Sequence, residues 1–443
     1  MQPAHPTPDL LLDPTFPYGE DLLQFMWEQR MFQQHALRTT DGRAVEVIKP
    51  GRIQHDSGPD LVDAQLRIDG QLWAGTVEVH LRSSEWNAHG HARDPAYDNV
   101  VLHVVYEHDA DVSTLGGQVL PTVELFPRIS TDSIALYHTL MRGKGFVPCA
   151  GMIGRVDHGH IGPWLERVLV QRLERKTLEV EALYMQLQHD GAATLYHMLA
   201  RAFGLKVNAE PFGMLAHALP LKTVLKYRDD ELRTEALLFG QAGFLQVDFV
   251  DEYPRRLQQE HALLAHMHGL RPAPVAAWKF ARMRPVNFPT VRIAQFAQLL
   301  MRCDGDFSVL LDTDSVQDLF DLLNVDAGVY WNDHYRFDVP SAPRSKRLGR
   351  AGAEHILINA VVPTLFALGR LQAREDRAER ALHLLEQLPA ERNQLLAGWA
   401  ALGLQADTAG RGQALIELKN GHCAKRRCLS CGIGNQLLKS TVK

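Results

Sequence analysis

Hydrophobic and polar residues follow two different patterns along the chain. From the N-terminal region to about residue 130, short runs rich in β-branched and aromatic residues lie between Gly, Pro, Asp or Asn. Runs of this kind predict strands. The predicted strands are VEVIKPG, DAQLRID, LWAGTVEVHL, VVLHVVYEH and VLPTVELF. Asp69 and Gly70 predict a tight turn between the second and third of them.

Apolar residues recur at helical spacing in two parts of the chain. The first is EDLLQFMWEQRMFQQHAL, ahead of the strands, and the second runs from about residue 155 to 400. The fold class is therefore predicted as α+β. We expect a mixed α/β domain over 1–135, a helical domain over 136–410, and a small cysteine-bearing tail over 411–443.

Composition and charge narrow the class of protein. A chain of 443 residues with 46% hydrophobic residues is long enough for two or three globular domains. The formal charge of -5 gives no general attraction to nucleic acid or membranes, so either contact needs a local basic patch. The apolar run LINAVVPTLFALG is shorter than the ~18 residues of a membrane span, and MQPAHPTPDLLL lacks the features of a signal peptide. We expect no membrane contact and a cytoplasmic location.

The strand LWAGTVEVHLR carries charged and imidazole side chains on one face. Since side chains alternate along a strand, Glu78, His80 and Arg82 share one face and apolar residues take the other. Asp60 follows Gly58 and Pro59, where a turn can direct its carboxylate toward this strand. Two carboxylates on adjacent strands can bind a divalent cation, and a neighbouring His can serve in proton transfer. The alternative is an ordinary solvent-facing side of an antiparallel sheet.

Polar residues continue after this strand. His89, His91 and Tyr97 follow closely and are candidates for lining a substrate groove. His103 lies inside the apolar run VVLHVVY, and we predict that it is a core histidine with its hydrogen bonds satisfied.

Long segments of the chain are similar to one catalogued family. The segments are DSGPDLVDAQLRIDGQLWAGTVEVHLRSSEWNAHGHARDPAYDNVVLHVVYEHD, NFPTVRIAQFAQLL, EALLFGQAGFL and CAKRRCLSCGIGN. They resemble the bacterial family known as domain of unknown function 2851. That resemblance covers nearly the whole chain and implies no activity.

The N-terminal part also resembles the PD-(D/E)XK nucleases. Their layout is a helix with a Glu, an Asp ahead of a strand, and Glu-x-Lys on the next strand. Gly58-Pro59-Asp60 resembles the Pro-Asp element, and Glu78-Val79-His80 resembles Glu-x-Lys with His in place of Lys. Glu20 or Glu28 matches the helical acid.

This second resemblance implies a metal-dependent nuclease acting on DNA or RNA. Asp60, Glu78 and Glu20 would hold Mg or Mn, and His80 would orient or deprotonate a water molecule. Arg82 would neutralise the phosphate, although its high pKa excludes it as a general base. Because His80 replaces the Lys, the alternative is a non-catalytic scaffold that binds nucleic acid or protein and carries a structural metal.

Three cysteines lie close together near the C-terminal end. Cys423, Cys428 and Cys431 have the spacing C-x4-C-x2-C, which is typical of a metal site rather than of disulfides. Cys149 is the favoured fourth ligand, with His422 and Cys303 as alternatives, and the tail would then dock back near Cys149. Some PD-(D/E)XK nucleases carry an iron-sulfur cluster on one remote and three clustered cysteines. Zinc and an iron-sulfur cluster both remain open, since both bind thiolates.

Overall fold

The chain divides into two compact units. A computed structural model describes residues 18–54, 57–304 and 306–440; residues 1–17, on which part of the signal-peptide expectation rests, lie outside the described residues. One unit comprises residues 18–162 together with 419–440, and the other comprises 163–418. The boundaries predicted at residues 135 and 410 therefore move to 162 and 418. The C-terminal tail belongs to the same unit as the sheet, as its expected return to Cys149 requires.

A mixed sheet forms the centre of the first unit. Its strands are Val45–Lys49 (β1), Arg52–Ile53 (β2), Leu61–Ile68 (β3), Gln71–Arg82 (β4), Val100–Glu107 (β5) and Thr122–Glu124 (β6). They lie in the order β1-β3-β4-β5-β6, and β2 pairs with β3. Strand β3 is antiparallel to β1 and β4, whereas β4, β5 and β6 are parallel. All five predicted strands are confirmed.

Turn chemistry and one close approach set the pairing around β4. Asp69 and Gly70 both adopt left-handed backbone angles, with φ of 46° and 82°, as the predicted tight turn requires. On the other side of β4, a Cβ at Gly75 would lie 2.5 Å from the carbonyl oxygen of Asn99. Gly75 therefore permits the chain that enters β5 to approach β4 closely.

Three helices of the first unit lie within residues 18–162: Glu20–Glu28 (α1), Glu85–Ala88 (α2) and Thr131–Arg142 (α3). Two 3-10 turns, His91–Arg93 and Pro95–Tyr97, lie between α2 and β5. Helix α1 buries its apolar residues, and the indole of Trp27 donates a 2.8 Å hydrogen bond to the Pro50 carbonyl. The helical pattern continues to Met31, which is buried, but the helix is shorter than predicted. Arg30 adopts a φ of 54°, which an α-helix cannot accommodate.

The second unit is built mainly of helices. They are His158–Gln186 (α4, which contains the boundary between the units), Gly191–Phe203 (α5), Leu205–Ala218 (α6), Leu221–Val224 (α7), Glu231–Gln241 (α8), Glu252–His268 (α9), Pro289–Arg302 (α10), Ser308–Asp312 (α11), Val316–Leu323 (α12), Arg350–Ile356 (α13), Val362–Leu371 (α14), Glu375–Gln387 (α15), Gln394–Ala400 (α16) and Ala409–Glu417 (α17). The sequence did not predict the short hairpin of His334–Arg336 (β7) and Val339–Pro340 (β8). Each of its strands is shorter than the periodicity that identifies a strand. Its residues adjoin the aromatic core, where Phe239 stacks on Trp331.

One helical stretch of this unit is longer than its apolar run suggested. Helix α13, a π-helical segment over Leu357–Val361, and α14 form a continuous stretch over Arg350–Leu371. By length and composition this stretch could cross a membrane, but 72% of its most apolar window is buried inside the protein. The burial is that of a core helix.

The C-terminal tail packs within the first unit. It ends in Gly432–Lys439 (α18), which contacts α3 and the 3-10 turn Ile153–Arg155. The Arg426 guanidinium donates hydrogen bonds to the carbonyl groups of Leu140, Met141 and Gly143. Arg426 therefore caps the C-terminal end of α3, where a cation is favoured by the helix dipole.

Candidate functional site

Asp60 and Glu78 lie side by side because of the pairing between β3 and β4. Leu61 pairs with Val77, which brings Asp60 opposite Glu78 on the adjacent strand. The backbone N–H of Asp60 donates a 3.0 Å hydrogen bond to Glu78 Oε2. In return the backbone N–H of Val79 donates a 3.0 Å hydrogen bond to Asp60 Oδ2. Each carboxylate is thus held by the backbone of the other strand.

Glu20, at the start of α1, is the third acid of this site. Burial first, and then the charges of Asp60 and Glu85, raise the pKa of Glu20 to about 7. The alternative helical acid, Glu28, instead accepts a 3.0 Å hydrogen bond from the backbone N–H of Ile53. The fold therefore brings Glu20 rather than Glu28 to the other two acids.

Burial and mutual repulsion favour the protonated forms of these acids. The pKa of Glu78 is raised from 4.5 to about 8, mainly by burial and then by the charge of Asp60. Burial also raises the pKa of Asp60, although a hydrogen bond from Gln24 opposes the effect. Neighbouring carboxylates with raised pKa values are the arrangement that a divalent cation would neutralise. The three oxygen donors fit Mg or Mn.

Four histidines surround the inner end of Glu78. His80 Nδ1 lies 2.8 Å from His103 Nε2, and His80 Nε2 lies 3.1 Å from His89 Nδ1. His91 Nε2 lies 3.3 Å from Glu78 Oε1. The candidate ligand atoms of His80, His89 and His91 all lie within 4.8 Å of one another. The structure therefore brings the predicted His80, His89 and His91 together with Glu78.

His103 is buried, as predicted, but it belongs to this cluster and its hydrogen bonds are not all satisfied. The parallel pairing of β4 with β5 aligns Glu78 with His103. Its Nε2 atom bonds His80, while its buried Nδ1 atom has no hydrogen-bond partner among the described residues. Burial lowers the pKa of His80 to about 2 and that of His103 to about 3, so both rings are neutral near pH 7.

An aromatic wall covers the histidine side of the site. Tyr97 stacks on His91 with ring centroids 3.8 Å apart, and Trp86 meets both rings edge-on. Burial, followed by the charges of Glu78 and Asp60, raises the pKa of the Tyr97 phenol to about 12. Tyr97 therefore remains a neutral phenol beside the acids.

This face of the sheet is not a solvent-facing surface. Glu78 and His80 are 4% and 1% exposed, whereas Arg82, two residues further along, is exposed. Arg82 Nε lies 3.6 Å from a carboxylate oxygen of Glu107 on β5. The strand alternation predicted the shared face, but burial ends between His80 and Arg82.

The sequence analysis missed two side chains at the site, the carboxylate of Glu85 and the amide of Gln24. Glu85 accepts 3.0 Å hydrogen bonds from the backbone N–H groups of Leu81 and Arg82, and its charge acts on Glu20. Gln24 lies near enough to Asp60 to lower the pKa of its carboxyl group. The helical spacing of Gln24 from Glu20 was the only local signal, since both project from the same face of α1.

The four predicted cysteine ligands lie in the same unit, near enough for their charges to affect one another's pKa values. Cys149, Cys423, Cys428 and Cys431 form no disulfide within the described part of the chain, and three of them are buried. Burial and then the charge of Cys431 raise the pKa of Cys149 to about 11 and that of Cys428 to about 12. The pKa of Cys423 is raised further, first by burial and then by the charges of the other three cysteines. Cys303, one of the alternative fourth ligands, lies in the hydrophobic core of the second unit.

Comparisons with known proteins identify a family but no function. A family model described as "Protein of unknown function (DUF2851)" matches residues 20–394, a range that includes every acid and histidine described above and ends before Cys423. No curated protein and no solved structure shows a significant match. Since the model spans most of its length, the chain belongs to the DUF2851 family of proteins of unknown function.

Proposed function

We propose that the first unit is a metal-dependent nuclease of the PD-(D/E)XK-like type, which hydrolyses phosphodiester bonds in DNA or RNA. The proposal depends on one observation: backbone hydrogen bonds hold the carboxylates of Asp60 and Glu78 across adjacent strands, and Glu20 lies near enough for its charge to act with theirs. They come from a helix, from the residue before a strand, and from the next strand. Their order along the chain is the order expected for those nucleases, which supports the proposal.

The carboxylates would hold Mg or Mn. Such a cation would supply Lewis-acid chemistry, lowering the pKa of a water molecule and neutralising charge on a phosphodiester. The protein's own contribution is to hold the acids in place. The backbone hydrogen bonds between Asp60 and β4, and between Glu78 and the Asp60 backbone, fix both carboxylates before any substrate binds.

His80 would take the proton role, because its neutral ring has an unprotonated nitrogen next to Glu78. Its Nε2 atom lies 3.7 Å from Glu78 Oε1. His89, His91 and Tyr97 would line the substrate groove; His89 is exposed, and the other two are partly exposed. Arg82 would contact the phosphate from the exposed end of β4 after leaving Glu107.

One observation favours the second candidate function, a non-catalytic scaffold that binds nucleic acid or protein. Both ring nitrogens of His80 already have histidine partners, and the side chain is 1% exposed. To accept a proton from a water molecule, His80 must first break one of those two contacts. A scaffold needs no such rearrangement.

Cleavage assays on the full-length protein separate the two candidates. Single- and double-stranded DNA and RNA would be incubated with Mg or Mn, and with a chelator as the reference. Asp60→Asn and Glu78→Gln preserve side-chain size and should abolish metal-dependent cleavage. Asp63→Asn is the matched control, because Asp63 lies on the same strand and its exposed carboxylate pairs with Arg52.

Two outcomes would count against the nuclease. If no substrate is cleaved, and nucleic acid binds the protein and both variants equally, the scaffold is the better account. If cleavage persists in both variants with wild-type metal dependence, the activity lies elsewhere in the chain or in a contaminant.

We also propose that Cys149, Cys423, Cys428 and Cys431 bind a structural metal, either zinc or an iron-sulfur cluster. The mutual effect of the four thiols on their pKa values supports a shared site. Metal binding would remove their protons and join the tail to the loop around Cys149. Visible absorption with iron and sulfide analysis would identify a cluster, and zinc without colour would identify a zinc site.

Cysteines that form no disulfide fit a reducing compartment, so we propose a cytoplasmic location. Fractionation of cells that express the protein tests it.

A further inference from the structure

We propose that His80, His89, His91 and Glu78 form a zinc site. It adjoins the site of oxygen ligands described above, and Glu78 belongs to both sites, whereas Glu20 and Asp60 belong only to the oxygen site. The sequence analysis assigned His89 and His91 to a substrate groove, and in the structure their ligand atoms also lie within 4.8 Å of those of His80. This inference does not depend on nuclease activity, because a zinc ion can bind here whether or not the protein cleaves nucleic acid.

Three of the distances between the donor atoms are close to those around a tetrahedral ion. Zinc binds nitrogen at about 2.0–2.1 Å, which puts tetrahedral ligand atoms roughly 3.3 Å from one another. His91 Nε2 lies 3.3 Å from Glu78 Oε1, and His80 Nε2 lies 3.7 Å from the same oxygen. His80 Nε2 and His89 Nδ1 are 3.1 Å apart. The ligand atoms of the three histidines all lie within 4.8 Å of one another, so side-chain shifts must bring the remaining pairs, including Glu78 and His89, to the tetrahedral value.

His103 orients His80 in the way that metal-ligating histidines are oriented. A ligating ring binds the ion through one nitrogen and donates its other N–H group to an acceptor. His80 Nδ1 is 2.8 Å from His103 Nε2, so it can donate there and leave the Nε2 lone pair directed at Glu78 and His89. On the other side, the stacked Tyr97 fixes the ring of His91.

The backbone between β4 and β5 brings the two later histidines to the same place. Gly90 lies between His89 and His91 and adopts a left-handed φ of 82°. This conformation reverses the chain locally and is one that glycine adopts readily. Because His89 is exposed, the site opens to solvent on that side and an ion can enter.

The donor types favour zinc over magnesium. Three imidazoles and one carboxylate suit Zn, whereas Mg prefers oxygen ligands and retains water. His80 Nε2 cannot accept a proton while it binds zinc. The zinc-bound ring and the proton-accepting ring proposed above are therefore alternative states of the same nitrogen.

Metal analysis of the full-length protein tests this site without any activity assay. Three proteins would be dialysed against buffered zinc: wild type, His89→Gln and His91→Gln. Both zinc and iron would then be measured per chain, so that metal bound by the cysteines is also counted. We expect each variant to lose one equivalent of zinc, or to bind it at least roughly tenfold more weakly. His35→Gln is the matched control, since His35 is exposed.

Cobalt substitution identifies the ligands of the lost equivalent. The difference spectrum between wild type and His89→Gln should show the bands of nitrogen- and oxygen-bound cobalt and lack thiolate charge transfer. Asp60→Asn should retain the equivalent, since Asp60 belongs only to the oxygen site. Unchanged zinc in both histidine variants, a thiolate spectrum, or zinc loss in Asp60→Asn alone would each overturn the proposal.

Discussion

Glu78 has a carboxyl group whose pKa rises from 4.5 to about 8 on folding, because the fold buries it and brings Asp60 and Glu20 beside it. In the metal-free protein, the folded state therefore retains a proton at pH values where the unfolded state has lost it. Stability from this group is fully present below about pH 4.5 and is lost as the pH rises toward 8. Glu78→Gln removes the titration and retains an oxygen that can accept the Asp60 N–H.

The magnitude follows from the shift. Each pKa unit corresponds to about 1.4 kcal/mol, so between pH 5 and pH 8 the free energy of unfolding of the metal-free protein should fall by roughly 3–4 kcal/mol through this group. The Gln variant should lack this decline. At pH 8 it should be more stable than wild type by a similar amount, which is about 6–16 °C in Tm for a domain of 150–250 residues.

Thermal unfolding in the presence of a chelator, from pH 5 to pH 8, measures this difference. The Tm to be compared is that of the unit that contains the sheet. Glu46→Gln is the control, because Glu46 is exposed and pairs with Arg67 on the adjacent strand. A Gln variant that is no more stable than wild type at pH 8, or whose Tm falls with pH as steeply, would refute the electrostatic reasoning. Adding Mg or Mn should also flatten the wild-type slope, since a cation stabilises the charged carboxylates.

Three further predictions concern the other residues of the first unit. His103→Gln should weaken zinc binding by about 10–100-fold, measured by competition with a chromophoric chelator, because it removes the ring that orients His80; unchanged affinity would contradict this role. His80→Lys should lose the zinc equivalent yet retain any Mg-dependent cleavage, which metal analysis and a nuclease assay would measure separately; retained zinc would show that His80 is not a ligand. Cys149→Ser should lower the metal content and the Tm of the first unit, whereas Cys303→Ser should leave the metal content unchanged; equal metal content in both would exclude Cys149 as a ligand.

Much of the fold was predictable because its signals are local. The strands follow from β-branched runs between turn residues, and the Asp-Gly turn follows from two residues that tolerate left-handed angles. The early end of α1 was not predictable, since the apolar pattern continued to Met31 while Arg30 left the helical conformation. The hairpin of β7 and β8 was too short to show a period.

The candidate site was predictable only in part. Alternation along β4 put Glu78 and His80 on a common face, where His80 Nε2 lies 3.7 Å from Glu78 Oε1. The Cys-x4-Cys-x2-Cys spacing predicted a shared metal site for three thiols, which stays a prediction. The sequence alone offered both Glu20 and Glu28 as the helical acid. Only the fold separates them, by directing Glu28 to the Ile53 backbone.

The sequence by itself determined which side chains share a face or a turn, because those relations depend on backbone periods within a few residues. Tertiary structure decided which faces meet. The parallel pairing of β4 with β5 brought His103 to His80, and the turn at Gly90 returned His89 and His91 to Glu78. It also decided that this face is buried, and burial is the main cause of the pKa shifts of Glu78 and His80. Contacts between residues far apart in the chain depend on packing of the whole unit, which no local pattern encodes.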